Sequence, residues 1–595
     1  MTSNSAAVPD RSPARVAGIA VLVSLFSFLY YFERSDLLLY GDAVAHINIA
    51  RRVFDSQTPG LLQLGTVWLP LPHLLLLPFI WSNSMWQSGA GASIPSMIAY
   101  VLGVMGIFRL TRGMMEVDMK PASVVGAVAA AFAYGANPNL IYMQATAMTE
   151  SLYLALFIWA VVYFAEFLRT LKENDVRRNE DAHRRESSPE GANQLSPASG
   201  SPARPLLARW GGGLQRGVGP KKLSKSRRDD PSLTRCALCL AGAELTRYDG
   251  WFLAGVMAAA IVLLSLRQRE DRALLRNAAK FLFGIAVVPV LWLAYNAVVY
   301  GNALEFANGP YSAKAIEQRV AAPNPALHHA GVAALYFLKS AQLILANGNW
   351  GRFWLAAAFL ALAIGAWKLR TQLPSLLLLW IPLAFYAYSI AYGSVPLHVQ
   401  TWWPFATFNQ RYGLQLLPMF AVSTGLLTAS VFLLGPGGRH RGKLVVVILA
   451  LVAVSYASLW KAGPQCLQEA RRNWKIGHPL NSAVESVVVR LPRNSRFLMD
   501  IGEHVGVMQA AGIPLRQVVN NENHRQWKRP SDPEGLWERT LADPPRYVDF
   551  VIVFDGDLVD RAVNRANLTL LEEIHATGQP HARIYATRTA LNQSR

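Results

Sequence analysis

Charge is scarce: only 16% of the 595 residues are Asp, Glu, Lys or Arg, against about 25% in an ordinary soluble domain. A chain wetted over its whole surface is thereby excluded. Cysteine is almost missing too. Cys236, Cys239 and Cys466 are too few for a disulfide framework, and Cys236-Ala-Leu-Cys239 has no His or second Cys pair to complete a zinc site. No small-residue cleavage site lies behind the first apolar run, residues 16–32, so that run reads as a span preceded by Arg11 and Arg15, not a removed signal peptide. Acidic residues are outnumbered 38 to 57, for a net charge of +19. In a soluble protein that excess suggests nucleic acid, but here Lys and Arg cluster between apolar runs and report orientation instead. No nucleic-acid partner is expected.

Long apolar runs are abundant, with 52% of residues hydrophobic. Besides 16–32, residues 94–108, 122–142, 152–168, 251–266, 281–299, 353–367, 376–392, 414–434 and 444–460 read as spans. Two runs are ambiguous. Residues 67–81 carry Pro70, Pro72 and Pro78, and 236–245 is far shorter than the roughly 20 residues a bilayer needs. Five loops are basic: 109–120, 169–235, 267–280, the Lys368/Arg370 turn and 439–443. Cytoplasmic loops are enriched in Lys and Arg. All five fall inside together when 67–81 does not cross and 236–245 does, which gives eleven spans with the N-terminus inside and the C-terminus outside. If the proline-rich run crosses, another segment changes role, so the expectation is an α-helical polytopic membrane protein of about 11 to 13 spans.

The domain plan follows. Residues 1–168 form a first membrane part with an external loop at 33–91, and residues 236–460 form a second. Between them, 169–235 hold 15 Lys and Arg against 8 Asp and Glu, interrupted by Ser, Pro and Gly, and read as a disordered cytoplasmic insert. After Trp460 the composition turns polar. Runs at 496–501, 516–520, 550–554 and 583–587 read as strands, with short helices at 505–511 and 558–566, so 461–595 are expected to form a small extracytoplasmic α/β domain. No GxGxxG fingerprint follows its first strand, and no nucleotide is assigned.

Four charged breaks stand out against the apolar background, all on the outer side by this topology. Asp42, in Gly41-Asp42-Ala-Val-Ala-His46, is placed to cap a helix beginning at Ala43; that helix is amphipathic and suited to the membrane interface, with a carboxylate at headgroup depth. Glu150 follows Ala147-Met-Thr149 at the start of a span, where an acidic side chain is costly unless it is used, although Thr149 or Glu150 would also serve as a cap. Leu245-Thr-Arg247-Tyr248-Asp249-Gly250-Trp251 reads either as a salt-bridged turn or as a site. Asn409-Gln410-Arg411-Tyr412-Gly413 opens the next-to-last span, with Arg411 a snorkelling anchor or a phosphate ligand. Between the last two lies Tyr295-Asn296 to Tyr311, whose Tyr and Asn residues suit a sugar or an aromatic belt.

These motifs, in this order and on one side, resemble the GT-C family of polyprenyl-phosphate-sugar glycosyltransferases, which includes the protein O-mannosyltransferases and the lipid A aminoarabinose transferases. The resemblance covers roughly residues 15–460, and the C-terminal domain looks like one that many bacterial members carry. It implies Asp42 as general base on the acceptor, Glu150 as the second acidic residue, inversion at the sugar and departure of the polyprenyl phosphate. Such chemistry needs a carboxylate to take the hydroxyl proton and cations at the leaving phosphate. Arg247 and Arg411 are the candidates for the latter, with Tyr248, Asp249, Tyr412, Tyr295 and Asn296 completing the binding set. Some members hold a divalent metal. His46, His73 and His398 are available, but their spacing assembles no ligand set, so the metal stays open. The implied partners are a polyprenyl-phosphate sugar, membrane lipid and an extracytoplasmic glycan, lipid or protein, at a bacterial inner membrane. A flippase of lipid-linked saccharide is the rival. It calls for ionisable or broken-helix sites at mid-span and repeated halves, and neither is evident. A third reading is a non-enzymatic assembly factor whose C-terminal domain binds a partner.

Overall fold

The computed structural model describes residues 10–115, 120–186, 231–309, 312–320, 323–434, 439–502, 504–523 and 535–587. Most of the expected insert, 187–230, lies outside the described residues, as does Tyr311.

The first membrane part contains α1 (Ser12–Glu33), α2 (Gly41–Arg52), α3 (Leu71–Leu76), α4 (Asn83–Ser88), α5 (Ala90–Met115), α6 (Lys120–Gly135), α7 (Pro138–Met143) and α8 (Glu150–Glu186). The prolines of the ambiguous run permit only short helical pieces between 71 and 79. Asn137 stops one helix and starts the next: its Oδ1 accepts the free N–H groups of Asn139 and Leu140, and Pro138 sits where a helix needs no donor. Helix α8 runs on to Glu186, well into the stretch expected to be unstructured.

The second part contains α9 (Pro231–Glu244), α10 (Tyr248–Arg267), α11 (Arg272–Val299), α12 (Glu305–Asn308), α13 (Ala313–Val320) and α14 (Ala330–Leu345). It continues with α15 (Trp350–Lys368), α16 (Leu373–Leu378), α17 (Ile381–Tyr392), α18 (Leu417–Leu434), α19 (Arg439–Ala462) and α20 (Gln465–Val488). Among the described residues nine helices are long and apolar enough to cross a membrane, and Ala122–Gly135 and Ala330–Leu345 are shorter apolar helices. Helix α14 was not expected. It begins where His328 N–H meets Ala391 O at the end of α17 and ends where Ile344 O accepts from Asn137. Both its ends are therefore on the same side of the bundle.

Helix α1 shows most of its surface outward, as a lipid-facing span does, whereas α18 is almost wholly enclosed. Apolar side chains gain little by leaving lipid for protein, so close backbone approach must hold such helices together. Gly126 of α6 and Gly425 of α18 supply it: a Cβ on either would stand 2.6–2.7 Å from the other's carbonyl oxygen. At one end of the bundle Arg109 pairs with Glu166 (2.7 Å) and Arg169 donates to Gly113 O (3.2 Å), joining the end of α5 to the middle of α8. The starts of α8, α10 and α18 and the ends of α1 and α19 lie at the opposite end.

The C-terminal part adds α21 (Gly506–Ala511), α22 (Leu536–Ala542), α23 (Pro544–Tyr547) and α24 (Leu558–Ala562) to a five-stranded sheet. The strands β1 (Phe497–Leu498), β2 (Val518–Val519), β3 (Phe550–Phe554), β4 (Leu568–Ile574) and β5 (Ala582–Thr587) take the order β2-β1-β3-β5-β4. β1 is parallel to both β2 and β3, and β5 is antiparallel to β3 and β4. Strand β3 is buried along its whole length, as a central strand covered on both faces must be. Four strands fall where the sequence places them; β4 is additional. This domain sits on the segment between α1 and α5: Asn48 donates to Gln509 Oε1 (2.6 Å), Gln509 to Trp86 O (2.7 Å) and Gln63 to Glu522 O (3.2 Å). Helix α2 is consequently mostly buried beneath it and does not lie open in a headgroup layer.

Candidate active site

Five chain segments meet at Arg411. The chain reaches it through Asn409, which takes the left-handed conformation (φ 57°) that Asn tolerates better than most residues, and enters a 3₁₀ turn, Gln410–Leu416. Gly413 lets that turn press on α14, since a Cβ there would stand 2.7 Å from the backbone of Ser340 and Ala341. Arg411 Nη2 donates to Asp42 Oδ2 (2.5 Å), Nε to Glu150 Oε1 (3.2 Å) and Nη1 to Glu469 Oε1 (3.4 Å), while its backbone N–H donates to Glu469 Oε2 (3.2 Å). It is paired with three acids, not extended toward solvent as a snorkelling anchor would be.

Arg247 stands beside it. Its Nη1 approaches the same Glu150 Oε1 (3.5 Å) and donates to Thr149 Oγ1 (3.1 Å); its Nη2 donates to Tyr386 OH (2.9 Å), and its Nε lies 3.4 Å from Asp249 Oδ2. Tyr386 in turn donates to Asp249 Oδ2 (2.7 Å). The Tyr412 ring lies 5.3 Å from both guanidinium carbons, and Tyr40 lies 5.2 Å from that of Arg411. Such faces favour desolvated cations. Asp42, Glu150, Asp249 and Glu469 therefore surround two arginines, and Glu150 Oε2 is buried with no hydrogen-bond partner.

Asp42 does not cap its helix. The N-cap is Tyr40, in extended conformation, and Asp42 sits one residue inside the first turn. The chain turns earlier than the sequence suggests because the Tyr40 ring is buried and its hydroxyl donates to Cys466 O (2.8 Å). The Asp42 carboxylate is thus free of the backbone. Its side chain is 41% exposed, while that of Glu150 is 0% exposed. Thr149 likewise spends its hydroxyl on Arg247, not on a cap.

Tyr248, Tyr295 and Asn296 form a second group. Tyr248 donates to Val67 O (3.2 Å), Tyr295 to Gly65 O (3.3 Å), and Asn296 Oδ1 accepts from the Thr66 hydroxyl. They hold the 65–67 segment and do not join the arginine cluster. Trp68 follows, its ring 4.7 Å from that of His46, and His46 Nδ1 lies 2.9 Å from His73 Nε2. Burial drives His46 down to about 4 against the opposing charge of Asp42. His73 is driven well below its ordinary value by burial and then by His46 and Arg52. Burial thus favours the uncharged form of both rings. His398 is apart, bridged through its backbone to Phe408. Among the described residues these histidines assemble no group of three metal donors.

Sequence reasoning missed Glu469, Tyr386 and Tyr40. Glu469 had a signal: it shares the buried stripe of α20 with Cys466 and Ala470, where a carboxylate demands a partner. Tyr386, one tyrosine in an apolar span, had none.

No protein-family model and no curated protein matches the chain. Its fold is similar to that in the crystal structure of ArnT from Cupriavidus metallidurans bound to undecaprenyl phosphate, with a TM-score of 0.52 and 12% identity over 95% of this chain and 98% of that one. The Archaeoglobus fulgidus oligosaccharyltransferase in the apo form aligns with a TM-score of 0.45 and 12% identity over 92% of this chain and 70% of its own. AglB from the same organism, in complex with an inhibitory peptide and a dolichol-phosphate, aligns at 0.46 and 11% over 91% and 69%. The chain is a multi-pass membrane protein with a GT-C-type fold.

Proposed function

We propose that this protein is a membrane glycosyltransferase that moves a sugar from a polyprenyl-phosphate donor to an extracytoplasmic acceptor with inversion. The observation that carries this reading is the cluster itself: one half-exposed carboxylate, Asp42, held by an arginine that is otherwise buried among Glu150 and Glu469. Asp42 Oδ2 is held by Arg411 and Oδ1 makes no hydrogen bond among the described residues, so one oxygen is fixed and the other is free to accept a proton. In the reaction the acceptor O–H proton passes to Asp42, the acceptor oxygen bonds to the anomeric carbon, and the bond from that carbon to the phosphate oxygen breaks. The phosphate leaves with the electron pair. Arg247 Nη2 and both terminal nitrogens of Arg411 each keep a second hydrogen for it, and Tyr412 lies between the two arginines.

ArnT was crystallised with undecaprenyl phosphate and AglB with a dolichol-phosphate. A lipid-linked donor for this chain rests on the shared fold and on charged groups gathered where spans end. Outward orientation of that end rests on the expectation that the five basic loops are cytoplasmic. The bacterial inner membrane belongs to the same reading. Charges at span ends instead of mid-span favour transfer over flipping.

Mass spectrometry of envelope glycans with and without the protein identifies sugar and acceptor. Purified protein must then form that product from the matching polyprenyl-phosphate sugar. Movement of intact donor across vesicles without product would establish the flippase instead.

A further inference from the structure

The β4–β5 hairpin carries chemistry that the transfer reaction does not use. Its register pairs Glu573 with Arg583 and Ile574 with Ala582, and continuing it by one step sets His575 opposite His581. Ile574 and Ala582 are buried, so by the two-residue period of a strand their neighbours share the outer face. Glu573, His575, His581 and Arg583 therefore form a two-by-two array. Directly opposed side chains in an antiparallel pair have Cβ atoms about 4.5–5.5 Å apart, and the two imidazole rings meet edge to face with centroids 4.2 Å apart.

Arg583 sorts the carboxylate oxygens. It takes Glu573 Oε1 (2.9 Å) and Asp555 Oδ1 (2.8 Å), and each acid turns its other oxygen to a histidine. Glu573 Oε2 lies 3.9 Å from His575 Nε2, and Asp555 Oδ2 lies 3.7 Å from His581 Nδ1. One donor atom from each of Glu573, His575 and His581 falls within 4.8 Å of the others. Tetrahedral ligands at about 2.0–2.2 Å from a metal stand roughly 3.4 Å apart, a gap that these exposed side chains close by rotation.

We propose that Glu573, His575 and His581 bind a divalent transition metal of the imidazole-favouring class, zinc, nickel or copper. Asp555 is the positioning residue, orienting His581 through its Nδ1 so that Nε2 faces the metal. The remaining coordination position is open to water. The site is distinct from the Arg411 cluster and does not depend on the function proposed for it. A metal there clamps the two strands that close the edge of the sheet, and it stabilises the fold in proportion to its occupancy.

The test uses the full-length protein in detergent, without a histidine tag, titrated with Zn²⁺ alone. The expected result is one more bound Zn²⁺ per chain in the wild type than in the His575→Ala/His581→Ala double variant, with affinity lowered about tenfold in Asp555→Asn. Because the double variant alters folding only if the hairpin itself needs these rings, Cu²⁺ electron paramagnetic resonance on the wild type supplies a second reading, and nitrogen hyperfine coupling from two imidazoles is expected. Equal Zn²⁺ stoichiometry in wild type and double variant overturns the proposal. So does a copper spectrum without nitrogen coupling, or a wild type that takes up no zinc.

Discussion

Replacing Asp42 by Asn separates chemistry from architecture at the centre of the proposed mechanism. Asn fits the same space and still accepts from Arg411 Nη2, but it cannot take a proton. Arg411 keeps Glu150 and Glu469, so no buried charge is left uncompensated. Asp42 does not cap its helix; the structural loss is one first-turn charge, worth about 0.3–1 kcal/mol against the helix dipole, and one partly exposed ion pair, worth about 0.2–1 kcal/mol. Together they lower stability by about 0.5–2 kcal/mol. General-base removal lowers rate by about two to four orders of magnitude, equivalent to about 3–5 kcal/mol of barrier. Single-turnover transfer by purified protein, read beside its thermal melt and its binding of polyprenyl phosphate, distinguishes the two effects. The expected variant melts close to wild type, binds the lipid phosphate and transfers at least a hundredfold more slowly. Transfer at wild-type rate would refute the assignment, because nothing else on α2 offers a carboxylate at that position.

Glu469→Ala should destabilise the protein by about 3 kcal/mol, the low end for breaking a buried pair, because Arg411 retains two other partners. Glu469→Gln should cost less, since its amide oxygen still accepts the Arg411 backbone N–H; thermal melts of the two variants check the order. His504 stacks on Phe554 with ring centroids 3.7 Å apart, and burial pushes it down to about 4. Between pH 4 and 6.5 the unfolded chain then binds the extra proton, so stability falls as pH falls through that window, by about 2 kcal/mol from pH 7 to pH 5. A His504→Phe variant should show a flatter melting temperature over the same range. A Cys at exposed Asn494 in the turn before β1 should react with an impermeant thiol reagent in intact cells; labelling only after the inner leaflet is opened would reverse the proposed orientation.

The sequence made the charged members of the cluster visible because a carboxylate or guanidinium at the end of an apolar span has no inexpensive alternative to a partner. Glu150, Arg247, Asp249 and Arg411 were found in this way, and the structure brings them together. Which acid meets which arginine was not readable, since the partners lie up to 369 residues apart. Asp42 was found for a partly wrong reason: its neighbours suggest a cap, and the buried Tyr40 moves the helix start. Strand β4 escaped detection because Glu572-Glu573 interrupt its apolar run and the ladder shifts register between Leu570 and Glu572. Helix α14 escaped because Lys339 and Gln342 break a run already shorter than a span; both are buried, and Lys339 donates to Gln342 Oε1 (3.3 Å). Tyr248, Tyr295 and Asn296 meet the 65–67 segment instead of the arginine cluster, a contact no local pattern encodes.

Glu469 also bears on timing. It belongs to α20, which follows the last long apolar helix, whereas Asp42 belongs to the first loop. A ribosome releases these segments in order, and an insertion machine threads them into the bilayer in order. Until α20 has emerged, Arg411 has no acceptor for its backbone N–H and lacks one of its three acidic partners. A nascent chain bearing every span up to α18 would be inserted yet have an unfinished centre. Chains truncated before Gln465 should therefore be recognised as immature by membrane proteases, and the protein should become competent only when its synthesis is nearly complete.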